Sequence, residues 1–201
     1  MDKELQELKK LCQKVYGESN DFGHITNFSF KVLENALSKK VDIMERYRIT
    51  ECELYVLLLL EGFHPNVIQR SSSETKEFTD KCRFYLDSLL AKTPQTKSDV
   101  LYRQEKSYRI DFDMMKHCMN KGIPYVHPCY MTTSTDDYDN KDCKFVIVPL
   151  KNGKTKAHDI YLISNHGAQC PYPENQVEFE LGTKFMINKI EETTIFMHEI
   201  E

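Results

Sequence analysis

Tyr172-Pro173-Glu174-Asn175-Gln176-Val177-Glu178-Phe179-Glu180-Leu181-Gly182-Thr183-Lys184-Phe185 carries two signals at once. From Gln176 to Leu181 polar and apolar residues alternate, the two-residue period of a half-buried strand. Val177, Phe179 and Leu181 share one face, which the alternation assigns to the core. Glu174, Gln176, Glu178 and Glu180 share the other. An acidic face of this kind is ordinarily a solvated one. Like charges so close together disfavour one another, however, and such a cluster can mark a place for a cation. Gly182-Thr183 then breaks the pattern before the next apolar run.

Working outward, the second half of the chain is a series of such strands. Runs rich in β-branched and aromatic residues occupy 100–103, 126–133, 145–150, 160–163, 177–181, 185–190 and 193–197. One helix interrupts them, at 112–120, ended by Gly122. The first half is helical instead. Leu5, Leu8, Leu11, Cys12 and Val15 make one apolar stripe over 4–15. A second helix is expected at 27–38, with Phe28, Val32, Leu33 and Leu37 inward. A third starts at Thr50, where Glu53 completes a capping box, and runs to Gly62. A short helix around Val67 and Ile68, a polar loop at 71–73 and a fourth helix at 75–91 follow. Helices first and strands afterwards argue for an α+β fold.

Length and composition bound the function. At 201 residues the chain suits one domain, read as a helical lead-in at 1–45 and a main domain at 46–201 that together form one unit. Ordinary hydrophobic and charged fractions exclude wholesale disorder. The net charge of -4 gives no global basic footprint for nucleic acid or for acidic surfaces. The longest apolar run, 54–60, falls far short of the roughly 20 residues a membrane helix takes, so no membrane partner is expected. Met1-Asp2-Lys3-Glu4 has no signal-like apolar region, and seven cysteines without a Cys-x-x-Cys pair read as free thiols. A cytoplasmic setting, in the producing or in a target cell, is the expectation. Scattered histidines give no metal site.

Two further pieces bear chemistry. Leu101-Tyr102-Arg103-Gln104 sets an arginine at a strand end. Such a residue is commonly solvated or salt-bridged, yet its planar, permanently charged fork can grip phosphate. Tyr130-Met131-Thr132-Thr133-Ser134-Thr135-Asp136 is a run of hydroxyls leading into a turn. Hydroxyls are common in strands and turns; here they could also line a cleft, hold a ribose or orient a carboxylate.

In order and spacing the three pieces resemble the Arg–Ser–Glu mono-ADP-ribosyltransferases, the family of clostridial binary toxins, vertebrate ecto-transferases and many bacterial and phage effectors. That family has an aromatic-Arg-Gly strand end, an aromatic-x-Ser-Thr-Ser strand, and Glu-x-Glu-Val-Leu-Leu followed shortly by Gly-Thr-x-Phe. Tyr102-Arg103 matches the first with Gln104 for Gly, and Tyr130-Met131-Thr132-Thr133-Ser134 the second with Thr132 for Ser. Glu174-Asn175-Gln176-Val177, running on to Gly182-Thr183-Lys184-Phe185, matches the third without a gap. Upstream, 49–60, 66–70 and 86–92 are similar to the helical scaffold before the family's arginine, so the likeness spans about 45–200.

The resemblance implies N-terminal helices followed by a split, mixed or antiparallel β-sandwich. It implies transfer of ADP-ribose from NAD⁺, a co-substrate, to a macromolecular acceptor, without a metal. Arg103 would hold the NAD⁺ phosphates, with Tyr102, Gln104, Thr133 and Ser134 in the same binding set. Thr132 would position the nicotinamide ribose and the catalytic carboxylate. Glu174 would prepare the acceptor, a protein arginine by preference, and Tyr172 would touch the target. An RNA or DNA acceptor is the alternative, to which Lys92, Lys97, Arg103, Lys106, Arg109 and Lys116 could lend a basic surface. A module that binds NAD⁺ or a partner without turnover is the non-enzymatic alternative. A toxin of this kind would also imply an antitoxin or inhibitor.

The ungapped match departs from the family at Gln176, where the catalytic glutamate is expected. An amide keeps the ribose hydrogen bond but supplies no charge. Three readings account for it: an isosteric Glu→Gln replacement, favoured by the unbroken register; a slipped register with Glu178 catalytic and Gln176 or Glu180 its partner; or a natural relative with weak or no turnover.

Overall fold

The helix expected from Thr50 begins where its capping box demands. In the computed structural model, which describes residues 3–17, 39, 41–62, 72–138, 141–164 and 175–201, the Thr50 N–H donates to Glu53 Oε2 at 2.7 Å. The Glu53 N–H donates in return to Thr50 Oγ1 at 3.2 Å, so two orphan donors of the first turn are satisfied reciprocally. The chain divides into two units, Met1–Thr93 with Ile163–Pro171, and Pro94–Leu162 with Tyr172–Glu201.

The first unit holds α1 (Lys3–Gly17), α2 (Val41–Tyr47), α3 (Glu51–Gly62) and α4 (Lys76–Lys92). In α1 the buried stripe is Leu5, Leu8 and Cys12. Cys52, Leu54, Tyr55, Val56, Leu57, Leu59 and Leu60 are all buried, so α3 is apolar on every side and lies within its helical layer. Phe78, Cys82, Leu86, Leu89 and Leu90 give α4 its inner face. No described helix is long and apolar enough to cross a membrane. The helix expected at 27–38 and the short one around Val67 and Ile68 lie outside the described residues; α2 had no counterpart in the periodicity.

Glu53 does more than cap. Its buried carboxylate also accepts from Ser88 Oγ at 2.5 Å and from Lys92 Nζ at 2.6 and 2.8 Å, tying α3 to α4. Burial alone would raise its pKa; the bonds from Lys92, Ser88 and the Thr50 N–H outweigh burial and hold it below the ordinary value. A depressed carboxylate adds stability that is complete above its unfolded pKa and is lost as pH falls through the folded one. Glu53→Gln is therefore expected to lower stability by about 2 kcal/mol at neutral pH, and by progressively less on acidification below the ordinary carboxylate range. Urea unfolding of both proteins across that range checks the convergence.

The second unit is a sheet with one long helix against it. Its elements are β1 (Leu101–Glu105), a 3₁₀ turn (Ser107–Arg109), α5 (Phe112–Lys121), β2 (Tyr125–Val126), β3 (Met131–Ser134), β4 (Cys143–Val148), β5 (Ala157–His158), the start of α6 (Tyr161–Ser164), whose last two residues fall in the first unit, β6 (Gln176–Phe179), β7 (Lys184–Glu191) and β8 (Thr194–Ile200). The eight strands hydrogen-bond in the order β2-β7-β8-β4-β1-β3-β6-β5. The β4–β8 pair is parallel; the other ladders are antiparallel. This is the α+β class expected.

Leu101, Met131, Phe145, Ile147, Val177, Phe179, Phe185, Ile195 and Met197 form the core of this unit, with Met115 and Cys118 of α5 in the same cluster. Phe179 meets Phe185 edge to face, ring centroids 5.1 Å apart. Asp111 caps α5 by accepting from the Met114 N–H, and Gly122 ends it at φ 62°, a left-handed conformation that favours glycine. Gly182, at φ 77°, makes the turn from β6 toward β7. On the same face of β8 as Ile195 and Met197, buried Glu199 accepts from the Leu150 N–H (2.9 Å), Thr155 Oγ1 (2.6 Å) and the Lys156 N–H (2.7 Å).

Two expectations of the sequence are corrected. The run at 160–163, read as a strand, falls largely in the short helix α6, which starts at Tyr161, with Asp159 and Ile160 between it and the end of β5. The run at 126–133 is two strands, because Pro128 lacks the N–H a continuous ladder needs.

Candidate active site

The alternation along β6 says which residues share a face; cross-strand pairing says what each one meets. β3 and β6 pair with Thr132 opposite Glu178 and Ser134 opposite Gln176. Thr132 Oγ1 donates to Glu178 Oε2 at 2.8 Å. Glu178 is 0 % exposed, so this carboxylate does not lie on a solvated face, as an acidic strand face ordinarily would. On its other side stands His158 of β5.

Arg103 joins the same group from β1. Its Nη1 donates to the Thr132 carbonyl at 2.8 Å and its Nη2 to Glu105 Oε2 at 2.9 Å. Thr132 is thereby held through its carbonyl by Arg103 and through its hydroxyl by Glu178. Arg109 reaches the other Glu105 oxygen at 3.5 Å. Burial pushes the Glu105 carboxyl up, but the Lys106 N–H and the charges of Arg103, Lys141 and Arg109 prevail and hold it below the ordinary range.

Tyr125 and His127 lie within the field of Arg103. Burial drives the His127 pKa down to about 3, with the Arg103 cation acting the same way and Glu105 partly offsetting it. Burial, partly countered by Arg103, pushes Tyr125 up to about 12. The phenol thus keeps its proton and shares a 2.8 Å hydrogen bond with Nδ1 of the neutral His127. Arg103 therefore stands beside a neutral ring rather than a second cation.

The remaining residues singled out in the sequence fall in three groups. Tyr102 pairs with Ser134 across β1 and β3, in register with Gln176, and carries the Lys144 ammonium 5.5 Å from its ring centre. The Ser134 hydroxyl accepts from the Asp136 N–H, and the Thr133 hydroxyl donates to the Val177 carbonyl at 2.7 Å. Gln104 is buried and donates to the Tyr138 carbonyl. The Thr133, Ser134 and Gln104 groups thus bond to the protein's own backbone, and of the hydroxyl run Thr132 is the residue bonded to a carboxylate. Glu174 and Tyr172 lie outside the described residues.

No protein-family model and no curated protein sequence matches the chain. Solved structures do. The Clostridium limosum C3 exoenzyme has a TM-score of 0.59 at 12% identity, over 84% of this chain and 95% of that one. BECa, an ADP-ribosylating toxin of C. perfringens solved with NADH, has 0.57 at 14%, over 83% of this chain and 48% of that one. The Vis toxin, an ADP-ribosyltransferase from Vibrio splendidus, has 0.54 at 18%, over 92% and 87%. The fold is the ADP-ribosyltransferase fold.

Within this ADP-ribosyltransferase fold Arg103, Thr132 and Glu178 stand on three adjacent strands, β1, β3 and β6, joined by hydrogen bonds. Sequence reasoning named all three. It missed Glu105, His127 and His158. Glu105 carried a usable signal, being two residues from Arg103 and so on the same strand face. The two histidines carried none, since each reaches the group only through strand pairing or packing.

Proposed function

We propose that this chain transfers ADP-ribose from NAD⁺ to a macromolecular acceptor, with Glu178 as the catalytic carboxylate. The observation that carries the reading is the 2.8 Å bond from Thr132 to Glu178, on a threonine whose carbonyl Arg103 holds. Glu178 accepts from the nicotinamide-ribose 2′-hydroxyl, and its charge stabilises the oxocarbenium character that grows as the C1′–N bond breaks. Nicotinamide leaves with the bonding electrons, and the acceptor nucleophile closes on C1′ and sheds its proton. Thr132 holds the carboxylate in one orientation, and Arg103 takes the NAD⁺ phosphates in exchange for part of its bond to Glu105. BECa was solved with NADH, which supports a nicotinamide dinucleotide as the co-substrate.

In this register Gln176 stands two residues before the catalytic carboxylate and needs no explanation as an altered glutamate. It faces the acceptor with an amide, which hydrogen-bonds but takes no proton. The preference for an arginine acceptor rested on a Glu-x-Glu pair and goes with it. The test is labelled NAD⁺ added to the purified chain with cell lysate, the product then treated separately with protease and nuclease. Label that becomes macromolecular and yields to one of the two treatments supports the proposal and names the acceptor class. Nicotinamide release without any macromolecular label would replace transfer by hydrolysis.

A further inference from the structure

His158 is 4 % exposed and is the residue directly opposite Glu178 on the far side from Thr132. Along that sheet face the row runs Thr132, Glu178, His158. The imidazole does not stand idle: its Nε2 lies 3.0 Å from Glu180 Oε1, the next acidic residue on that face. A carboxylate accepts only, so the ring N–H is the donor whether the imidazole is neutral or charged. β5, although two residues long, is a built position. The Thr96 N–H donates to the Ala157 carbonyl and the Asp159 N–H to the Pro94 carbonyl, each at 2.9 Å. The Glu180 N–H donates to the Lys156 carbonyl at 3.0 Å, and Gln95 bridges to His158 from the other edge.

Two carboxylates two residues apart on one strand face repel each other, and either could take a free threonine hydroxyl. We propose that His158 is a positioning residue that acts through Glu180: it draws the second carboxylate to the edge of the sheet and leaves the Thr132 hydroxyl to Glu178. The inference rests on the reading of Glu178 as the catalytic carboxylate. It assigns the imidazole no contact with NAD⁺; its effect is on the orientation of Glu178, hence on turnover and not on dinucleotide binding.

The experiment compares wild type, Glu178→Gln, His158→Ala, His158→Gln, Glu180→Ala and the His158→Ala/Glu180→Ala pair in NAD⁺ cleavage, with kcat and KM measured separately. His158→Ala is expected to lose about tenfold in kcat with KM for NAD⁺ nearly unchanged. His158→Gln, whose amide restores an N–H toward Glu180, recovers most of it. In the Glu180→Ala background the His158 substitution costs nothing further, as expected when one residue acts only through the other. In the protein without NAD⁺, the His158 Nε2–H should give an exchange-protected proton resonance that Glu180→Ala removes. If Glu178→Gln is inactive but His158→Ala matches wild type, or if His158→Gln is no better than His158→Ala, the positioning role is overturned while Glu178 keeps its own. If Glu178→Gln cleaves NAD⁺ as fast as wild type, the reading of Glu178 falls and this inference with it.

Discussion

Glu178→Gln is expected to lower kcat for NAD⁺ cleavage on the order of 100-fold or more, with little change in KM. The substitution keeps the size of the side chain, and one amide oxygen can still accept from Thr132 Oγ1. What it removes is the negative charge beside C1′, an interaction that matters only as positive character develops there. Ground-state binding through Arg103 is untouched, so the loss falls on turnover. Steady-state kinetics of nicotinamide release measures both constants. Gln176→Glu provides the contrast, because Gln176 pairs with Ser134 and not with Thr132. In the proposed register that variant changes NAD⁺ cleavage by no more than a few-fold. A large gain in Gln176→Glu together with an indifferent Glu178→Gln would restore the ungapped register.

The second large effect is on stability, at Glu199. This carboxylate is 2 % exposed and satisfies three donors, two of them backbone N–H groups of the β4–β5 connection. Glu199→Leu leaves the Leu150 and Lys156 N–H groups and the Thr155 hydroxyl without their acceptor, and each orphaned group costs about 1–3 kcal/mol. An overall loss of about 3–5 kcal/mol is expected, read as a shift of the denaturant midpoint at constant slope. Glu199→Gln does not rescue it fully. Lys156 bonds one carboxylate oxygen while Leu150 and Thr155 bond the other, so the amide NH₂ must face a donor in either orientation. The damage also reaches the candidate site, because Thr155 Oγ1 accepts from the Ala157 N–H at 3.0 Å and so sets the start of β5.

What the sequence made legible follows the range of the interaction concerned. The capping box at Thr50 and Glu53, the glycine stop at Gly122 and the apolar stripe of α1 are local, and each formed as expected. Ile160, Leu162 and Ile163 are apolar but too few to separate a period of 2 from one of 3.6, and the run misled. At the site, alternation put Gln176 and Glu178 on one face of β6 without choosing between them. Glu178 and Gln176 share that face, and the choice between them lies in β3, 44 residues away in the Thr133–Val177 bond that seats the register. A one-dimensional match carries no knowledge of that pairing. Arg103 and Thr132 were named from short patterns, although β1 runs on to Glu105 and sets Arg103 mid-strand instead of at the strand end expected; His158 was not, since two residues of edge strand leave no periodic trace.

The strand order has a consequence for how the molecule is made. β8, which follows the other described strands in sequence, lies between β7 and β4. As the chain leaves the ribosome, β1, β3, β4 and β6 can pair among themselves, and β7 can pair with β2. No strand ladder joins the two groups until residues 194–200 have emerged and slid between them. Until that moment β4 and β7 each present a bare edge, the kind of surface that recruits stray strands. A product cut short before Thr194 is left with two half-sheets that no ladder connects, so synthesis itself holds the sheet open until residues 194–200 arrive.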